Sequence, residues 1–321
     1  DEDERRRLVW YLEGLAAKLV ALPLRGLDDH LHRGQRLELP GVYVALATES
    51  RVEVARGRPA ELRHYFNQDN PRHSLKPDYD PDQVLPEQAL YRAAGGSVQT
   101  ELVLQRALLA VAAVQRHQHV VLRGDPGAGK STFLRHLAWA LARRALDPAT
   151  APALPGWEAQ HPLLPILLPL RTLAGRLARE GVSDATVYAA LRDELHAHCT
   201  HQIDDALSAA LSRGAALLLF DGLDEVPLAG TPDVADRFTT LRAVQALVRR
   251  YARCPAILTC RTRAFDAAAR AELGWPVETL APFTLGQVRA FVPAWYCELV
   301  AKGQITPEQT HRLTTTLLAP I

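Results

Sequence analysis

Beyond residue 117 the chain repeats one texture: a short apolar run, a polar or glycine-containing break, then a longer stretch of helical periodicity. The apolar runs lie at 119–122, 164–168, 215–220 and 256–260, with a fifth at 277–280. Short runs without alternation are expected of strands covered on both faces. The stretches at 131–145, 184–212 and 234–253 place apolar residues at helical spacing. Strands and helices in alternation predict a parallel α/β sheet with helices on its faces.

The first part of the chain has a different pattern. Residues 5–22 put Leu8, Tyr11, Leu12, Leu15 and Leu19 on one helical face. Residues 41–46 predict a short strand and residues 101–116 a helix. The proline- and Asn/Asp-rich stretch 66–87 predicts a linker or loop insertion. After Pro282, helical spacing returns with Val288, Phe291, Trp295 and Leu299. The expected organisation is a mainly helical N-terminal region with a short strand (1–100), an α/β domain (101–282) and the start of a small helical domain (283–321). The chain opens on Asp1 and stops inside a helical pattern, so it reads as a piece of a longer protein.

Composition narrows the function classes. Hydrophobic residues make up 48% and charged ones 23%, which fits a folded protein. A net charge of +1 gives no bulk attraction to nucleic acid or an anionic membrane. No apolar run approaches the length of a membrane span. The four cysteines have no paired spacing, so a reducing, cytoplasmic setting is expected. His196, His198, Cys199 and His201 look like a metal cluster by composition. On one helix they would not share a face, and a solvated helix end is the expected reading.

The chemistry concentrates at three strand ends. Gly124-Asp125-Pro126-Gly127-Ala128-Gly129-Lys130-Ser131 matches G-x-x-x-x-G-K-[ST], and Thr132 follows. The motif lies between a strand and a helix, as a phosphate cradle requires. Glycines let successive N–H groups converge on phosphate oxygens, and the helix N-terminus adds its positive dipole end. Lys130 is the only lysine between residues 77 and 301, and its ammonium is the compact charge for the β- and γ-phosphates. The Ser131 hydroxyl is a candidate Mg²⁺ ligand. At the end of the 215–220 strand, Asp221 is the candidate that orients Mg²⁺. Asp224 and Glu225 are alternative candidates for the base that polarises water. At the end of the 256–260 strand, Arg261 offers a cation for the charge of phosphoryl transfer.

These residues resemble the NACHT family of signal-transduction ATPases, which includes animal NOD-like receptors and bacterial and fungal relatives. The resemblance is carried by Gly124 to Thr132, by Phe220-Asp221-Gly222-Leu223-Asp224-Glu225, and by Leu258-Thr259-Cys260-Arg261, where Cys260 stands in place of a serine. The 164–171 strand and the segment from Leu280 to Thr284, with Gln287, Phe291, Trp295 and Tyr296, are also similar to the family. The resemblance covers about residues 105–300 and, more loosely, Gly26-Leu27-Asp28 and Val42-Tyr43-Val44. It implies an ASCE-type P-loop NTPase sheet in the order 5-1-4-3-2, and ATP or ADP with Mg²⁺ as ligands. It also implies Arg261 as the sensor of the γ-phosphate. The implied activity is slow ATP hydrolysis by a switch that is closed with ADP and self-associates with ATP. In bacteria such proteins are commonly antiviral sensors. A homo-oligomer is the implied partner, with trigger ligand and effector outside these residues. Two other readings compete: a nucleotide-stabilised scaffold without turnover, and a motor ATPase of the AAA+ type. The second usually carries an acid directly after the strand-end Asp, where this chain has Gly222.

Overall fold

The computed structural model describes residues 2–21, 38–57, 88–93, 100–154, 157, 162–199, 203–283 and 285–318. Its N-terminal elements are α1 (Glu2–Leu19), α2 (Leu39–Val42), β1 (Ala47–Gly57), β2 (Gln88–Ala93), β3 (Thr100–Leu109) and α3 (Ala110–Gln115). The α/β core follows as β4 (His119–Gly124), α4 (Lys130–Leu146), β5 (Leu164–Pro169), α5 (Leu170–Glu180), α6 (Asp184–His196), α7 (Asp204–Arg213), β6 (Ala216–Asp221), α8 (Arg237–Arg250), β7 (Ala256–Arg261), α9 (Ala267–Leu273) and β8 (Val277–Thr279). Helices α10 (Leu285–Ala301) and α11 (Pro307–Leu318) close the chain.

Five parallel strands form one sheet in the order β5-β6-β7-β4-β8. Counted along the core and read from the other edge, this is 5-1-4-3-2, as the resemblance implied. Val120, Val121 and Leu122 of β4, Leu217 to Phe220 of β6 and Ile257 to Cys260 of β7 are all nearly inaccessible. Helices cover both faces, and uninterrupted apolar runs are the sequence that such strands require. Register aligns the strand ends. Gly124 lies opposite Arg261 in the β4–β7 pair, and Phe220 lies opposite Leu258 in the β6–β7 pair. Since neighbouring strands stand about 4.8 Å apart, the carboxyl ends of β4, β6 and β7 reach one edge together.

The N-terminal region differs from expectation. The 41–46 strand is instead the end of α2 followed by irregular chain, and β1 begins at Ala47. The 101–116 helix is β3 as far as Leu109, and only 110–115 are helical. β3 pairs antiparallel with both β1 and β2, so a three-stranded sheet stands where one short strand was expected. β3 also runs across residue 101, the expected domain boundary. The loop expected at 66–87 lies outside the described residues. In the core, the 184–212 helix is two helices, α6 and α7.

Residues 38–48 run as a strap along the core. Tyr43 stacks on His136 of α4 with ring centroids 3.5 Å apart and planes within 6°. A Cβ built on Gly129 would stand 3.1 Å from Leu46 Cδ1, so the strap lies against the glycine loop. The Ala281 N–H donates to the Ala47 carbonyl (2.9 Å), and Gln287 Nε2 of α10 donates to the Ala45 carbonyl (2.6 Å). Lys302 pairs with Glu38 at 2.6 Å. One strap therefore touches the P-loop side of the core and the C-terminal helices.

His136 is buried, and burial pushes its pKa from 6.5 down to about 4. The folded state therefore binds fewer protons than the unfolded state across that window. Its contribution is intact above about 6.5 and is lost as pH falls toward 4, an effect of up to about 3 kcal/mol. His136→Phe is expected to reduce the gap between urea midpoints measured at pH 7.5 and pH 5. An unchanged gap would mean that the strap does not bury a neutral imidazole.

Candidate functional site

The chain leaves β4 at Gly124, turns through residues 125–129 and enters α4 at Lys130. Gly129 has φ +85° and Gly127 φ +79°, left-handed values that side chains rarely adopt. A Cβ at Gly124 would stand 3.2 Å from Ala128 Cβ, so the loop also closes tightly on itself. Lys130 Nζ donates to the carbonyls of Gly124 (2.8 Å) and Asp125 (2.9 Å), which folds its ammonium back over the loop. Burial lowers the Lys130 pKa, and Asp224 is the foremost group acting the other way.

The acidic strand end meets this loop. Ser131 Oγ donates to Asp221 Oδ1 at 3.1 Å, across 90 residues of sequence. The Thr259 hydroxyl donates to the same Oδ1 (2.6 Å) and accepts the Gly222 N–H (2.9 Å). Asp221 is thus oriented from two sides. Gly222 has φ +79°, and a Cβ there would lie 3.3 Å from Glu225 Cγ and Cδ. Asp224 takes Arg261 twice: Arg261 Nε lies 2.7 Å from Oδ2, and the Arg261 N–H donates to Oδ1 at 3.1 Å. Glu225 is exposed beside them. Burial, with Asp224 nearby, pushes the Cys260 thiol up to about 12, so it stays a neutral packing group.

A cavity of about 270 Å³ joins these groups. It is lined by Lys130, Ser131, Thr132, Asp221, Asp224 and Arg261, among others. Pro126, Gly127 and Gly129 also line it. Gly124, Asp125 and Ala128 complete the loop without lining the cavity. The predicted residues are brought to one edge of the sheet. A hydroxyl and a carboxylate oxygen 3.1 Å apart form the hard-oxygen pair that suits Mg²⁺. The glycine loop, ammonium and guanidinium suit a polyphosphate.

Two residues escaped the sequence reading of the site. Thr259 was part of a motif but carried no role, although the parallel register of β6 and β7 sets it beside Asp221. Arg237 is buried and donates to the carbonyls of Val226 (3.0 Å) and Ala264 (3.1 Å), tying together the loops that follow Glu225 and Arg261. Its neighbours come from distant sequence, so no local signal marks it. The histidine group at 196–201 also differs from expectation. The His198 side chain is 2% exposed and meets Tyr11 edge-on, because α1 covers this helix end. His201 lies outside the described residues. Among the described residues, no group of three or more His, Cys, Asp or Glu could hold a metal, and no helix is long and apolar enough to cross a membrane.

Thr259→Val keeps the shape but removes the hydroxyl from both Asp221 and the Gly222 N–H. Outer-shell partners of metal ligands typically contribute about 10–100-fold. Mg²⁺-dependent nucleotide affinity is expected to fall by at least tenfold on titration; unaltered Mg²⁺ dependence would remove Thr259 from the site.

A strand, a glycine loop on a helix N-terminus and an acid on a nearby strand end define a P-loop nucleoside triphosphatase. The family model for the NACHT domain matches residues 118–297, more than half of the chain, and the chain belongs to the NACHT domain family. It is similar to an uncharacterized WD repeat-containing protein of Nostoc sp. (strain PCC 7120), with 27% identity over 151 residues. That stretch is 47% of this chain but only 9% of the relative's length. A chain of the E. coli MS115-1 HORMA:CdnC:Trip13 complex aligns at 18% identity with a TM-score of 0.31, covering 63% of this chain and 59% of that one.

Proposed function

We propose that this chain is the ATP-driven switch of a signalling protein. It binds Mg·ATP, hydrolyses it slowly and self-associates in the ATP state. The observation that carries this reading is the single cavity edge where Lys130, Ser131, Asp221, Asp224 and Arg261 converge. Bound Mg²⁺ supplies neutralising charge to the phosphate oxygens. The loop amides and Lys130 hold the polyphosphate, while Ser131 and Asp221 hold the metal. Arg261 faces the position where the terminal phosphate adds charge. Glu225 or Asp224 accepts the proton of the attacking water. A surface-exposed acid such as Glu225 is little pre-organised, which fits slow turnover.

The strap at 38–48 supports switching, since it touches both the glycine loop and α10. The likeness to a WD repeat-containing protein supports a module working within a longer chain, with trigger and effector parts elsewhere. A role as a bacterial antiviral sensor is the form of switch we favour, and the cytoplasm is its proposed setting.

The test is the mass and turnover of the full-length protein with Mg·ADP and with a non-hydrolysable Mg·ATP analogue. We expect a monomer with ADP, a larger assembly with the analogue, and turnover below about 1 s⁻¹, the low end for phosphoryl-transfer enzymes. Equal mass in both nucleotides would leave only a nucleotide-stabilised scaffold.

A further inference from the structure

Two acids stand side by side after β6, yet the structure uses them differently. The Asp224 side chain is 12% exposed, and both of its oxygens contact Arg261. Arg261 itself is 54% exposed at its side chain, so Asp224 is the inner, anchoring member of the pair. Asp224 also lines one cavity with Lys130 and Arg261, so its carboxylate stands in the space that the two cations share. A proton taken by Asp224 would loosen Arg261 at the moment its charge is needed. Glu225 lines the same cavity, is exposed, and folds beside Gly222, where any side chain would crowd its carboxylate.

We propose that Asp224 is a positioning residue that seats Arg261 to read the terminal phosphate. This rests on the nucleotide-switch reading above. Asp224 acts through Arg261, which takes both of its oxygens, and not on the attacking water. Removing Asp224 therefore weakens recognition of the third phosphate.

The experiment is a double-mutant cycle on the full-length chain, read as the ratio of affinities for a non-hydrolysable Mg·ATP analogue and for Mg·ADP. Arg261→Ala and Asp224→Asn are each expected to lower the ratio about tenfold, the scale of a hydrogen bond to a charged group. In the Arg261→Ala background, Asp224→Asn is expected to change it by less than about twofold, since two residues acting through one contact do not add. Asp224→Glu, which keeps the charge, is expected to restore part of the ratio and covers the case in which Asp224→Asn folds poorly. Glu225→Gln, which removes the neighbouring charge and leaves the Asp224–Arg261 contacts in place, should leave the ratio unchanged. A wild-type ratio in Asp224→Asn, or effects that multiply in the double variant, overturns the proposal. If the wild type binds neither nucleotide, or Lys130→Ala binds both as well as the wild type does, the switch reading itself fails.

Discussion

Lys130→Ala is expected to abolish the stabilisation that Mg·ATP and Mg·ADP give this protein. A ligand at a hundred times its dissociation constant stabilises the native state by about 2.7 kcal/mol. At roughly 2–4 °C per kcal/mol, the wild type should gain several degrees in melting temperature. The variant should gain none. The side chain does more than supply charge, because its ammonium donates to the Gly124 and Asp125 carbonyls. Without nucleotide, its loss should cost about 1 kcal/mol, the usual net value of a hydrogen bond. Lys130→Arg should not rescue binding, since a planar guanidinium does not replace a compact ammonium in a tight loop. If Lys130→Ala shows the full nucleotide-induced shift, the cradle does not bind phosphate.

Gly14→Ala is expected to be the most damaging small substitution outside the cavity. Gly14 lies inside α1, where glycine costs about 1 kcal/mol relative to alanine. On helix propensity alone, the change would therefore stabilise. However, a Cβ there would stand 1.9 Å from the His198 carbonyl oxygen, a backbone atom that cannot swing aside. Helix α1 would have to shift or detach, exposing Tyr11, Leu12, Leu15 and Leu19, which are now buried. It would also break the Tyr11 hydroxyl's 2.7 Å hydrogen bond to the Pro165 carbonyl on β5. We expect a loss of about 3 kcal/mol or more, from overpacking and lost apolar burial together. Urea denaturation measures the loss, and limited proteolysis at α1 shows the release. Ala17→Ser, on the exposed face, should stay within about 0.5 kcal/mol. If Gly14→Ala melts like the wild type, α1 does not dock as described.

The closeness of α1 to His198 also shows why its burial could not be read in advance. The pattern at 5–22 gave a helix with a buried face, and the pattern at 184–212 gave another helix. Nothing local says which helix covers which. The 101–109 stretch fails for a related reason. A short run mixing apolar and polar residues fits a helix turn or a strand equally well, and its neighbours β1 and β2 decide the outcome through backbone pairing. Residues 41–46 carry strand-forming side chains, but these are used to pack Tyr43 and Leu46 against the core. Residues 41–46 join no strand, and sheet pairing begins at Ala47.

The cavity was legible to a greater extent, because its chemistry is written in contiguous residues. Gly124 to Thr132 fix a turn, a charge and a hydroxyl within one strand–loop–helix unit, and local backbone rules suffice to read them. The apolar runs ending in Asp221 and Arg261 likewise announce strands that deliver a charged side chain. Those features were determined by the order of residues alone, since each depends on groups a few positions apart. Tertiary structure decided which strand ends became neighbours. The placement of Thr259 on Asp221, the capture of Arg261 by Asp224 and the seat of Arg237 between two loops all join residues 11 to 38 positions apart. Such contacts exist only once the sheet has set its register, because hydrogen bonds act over about 3 Å and sequence distance does not measure that separation.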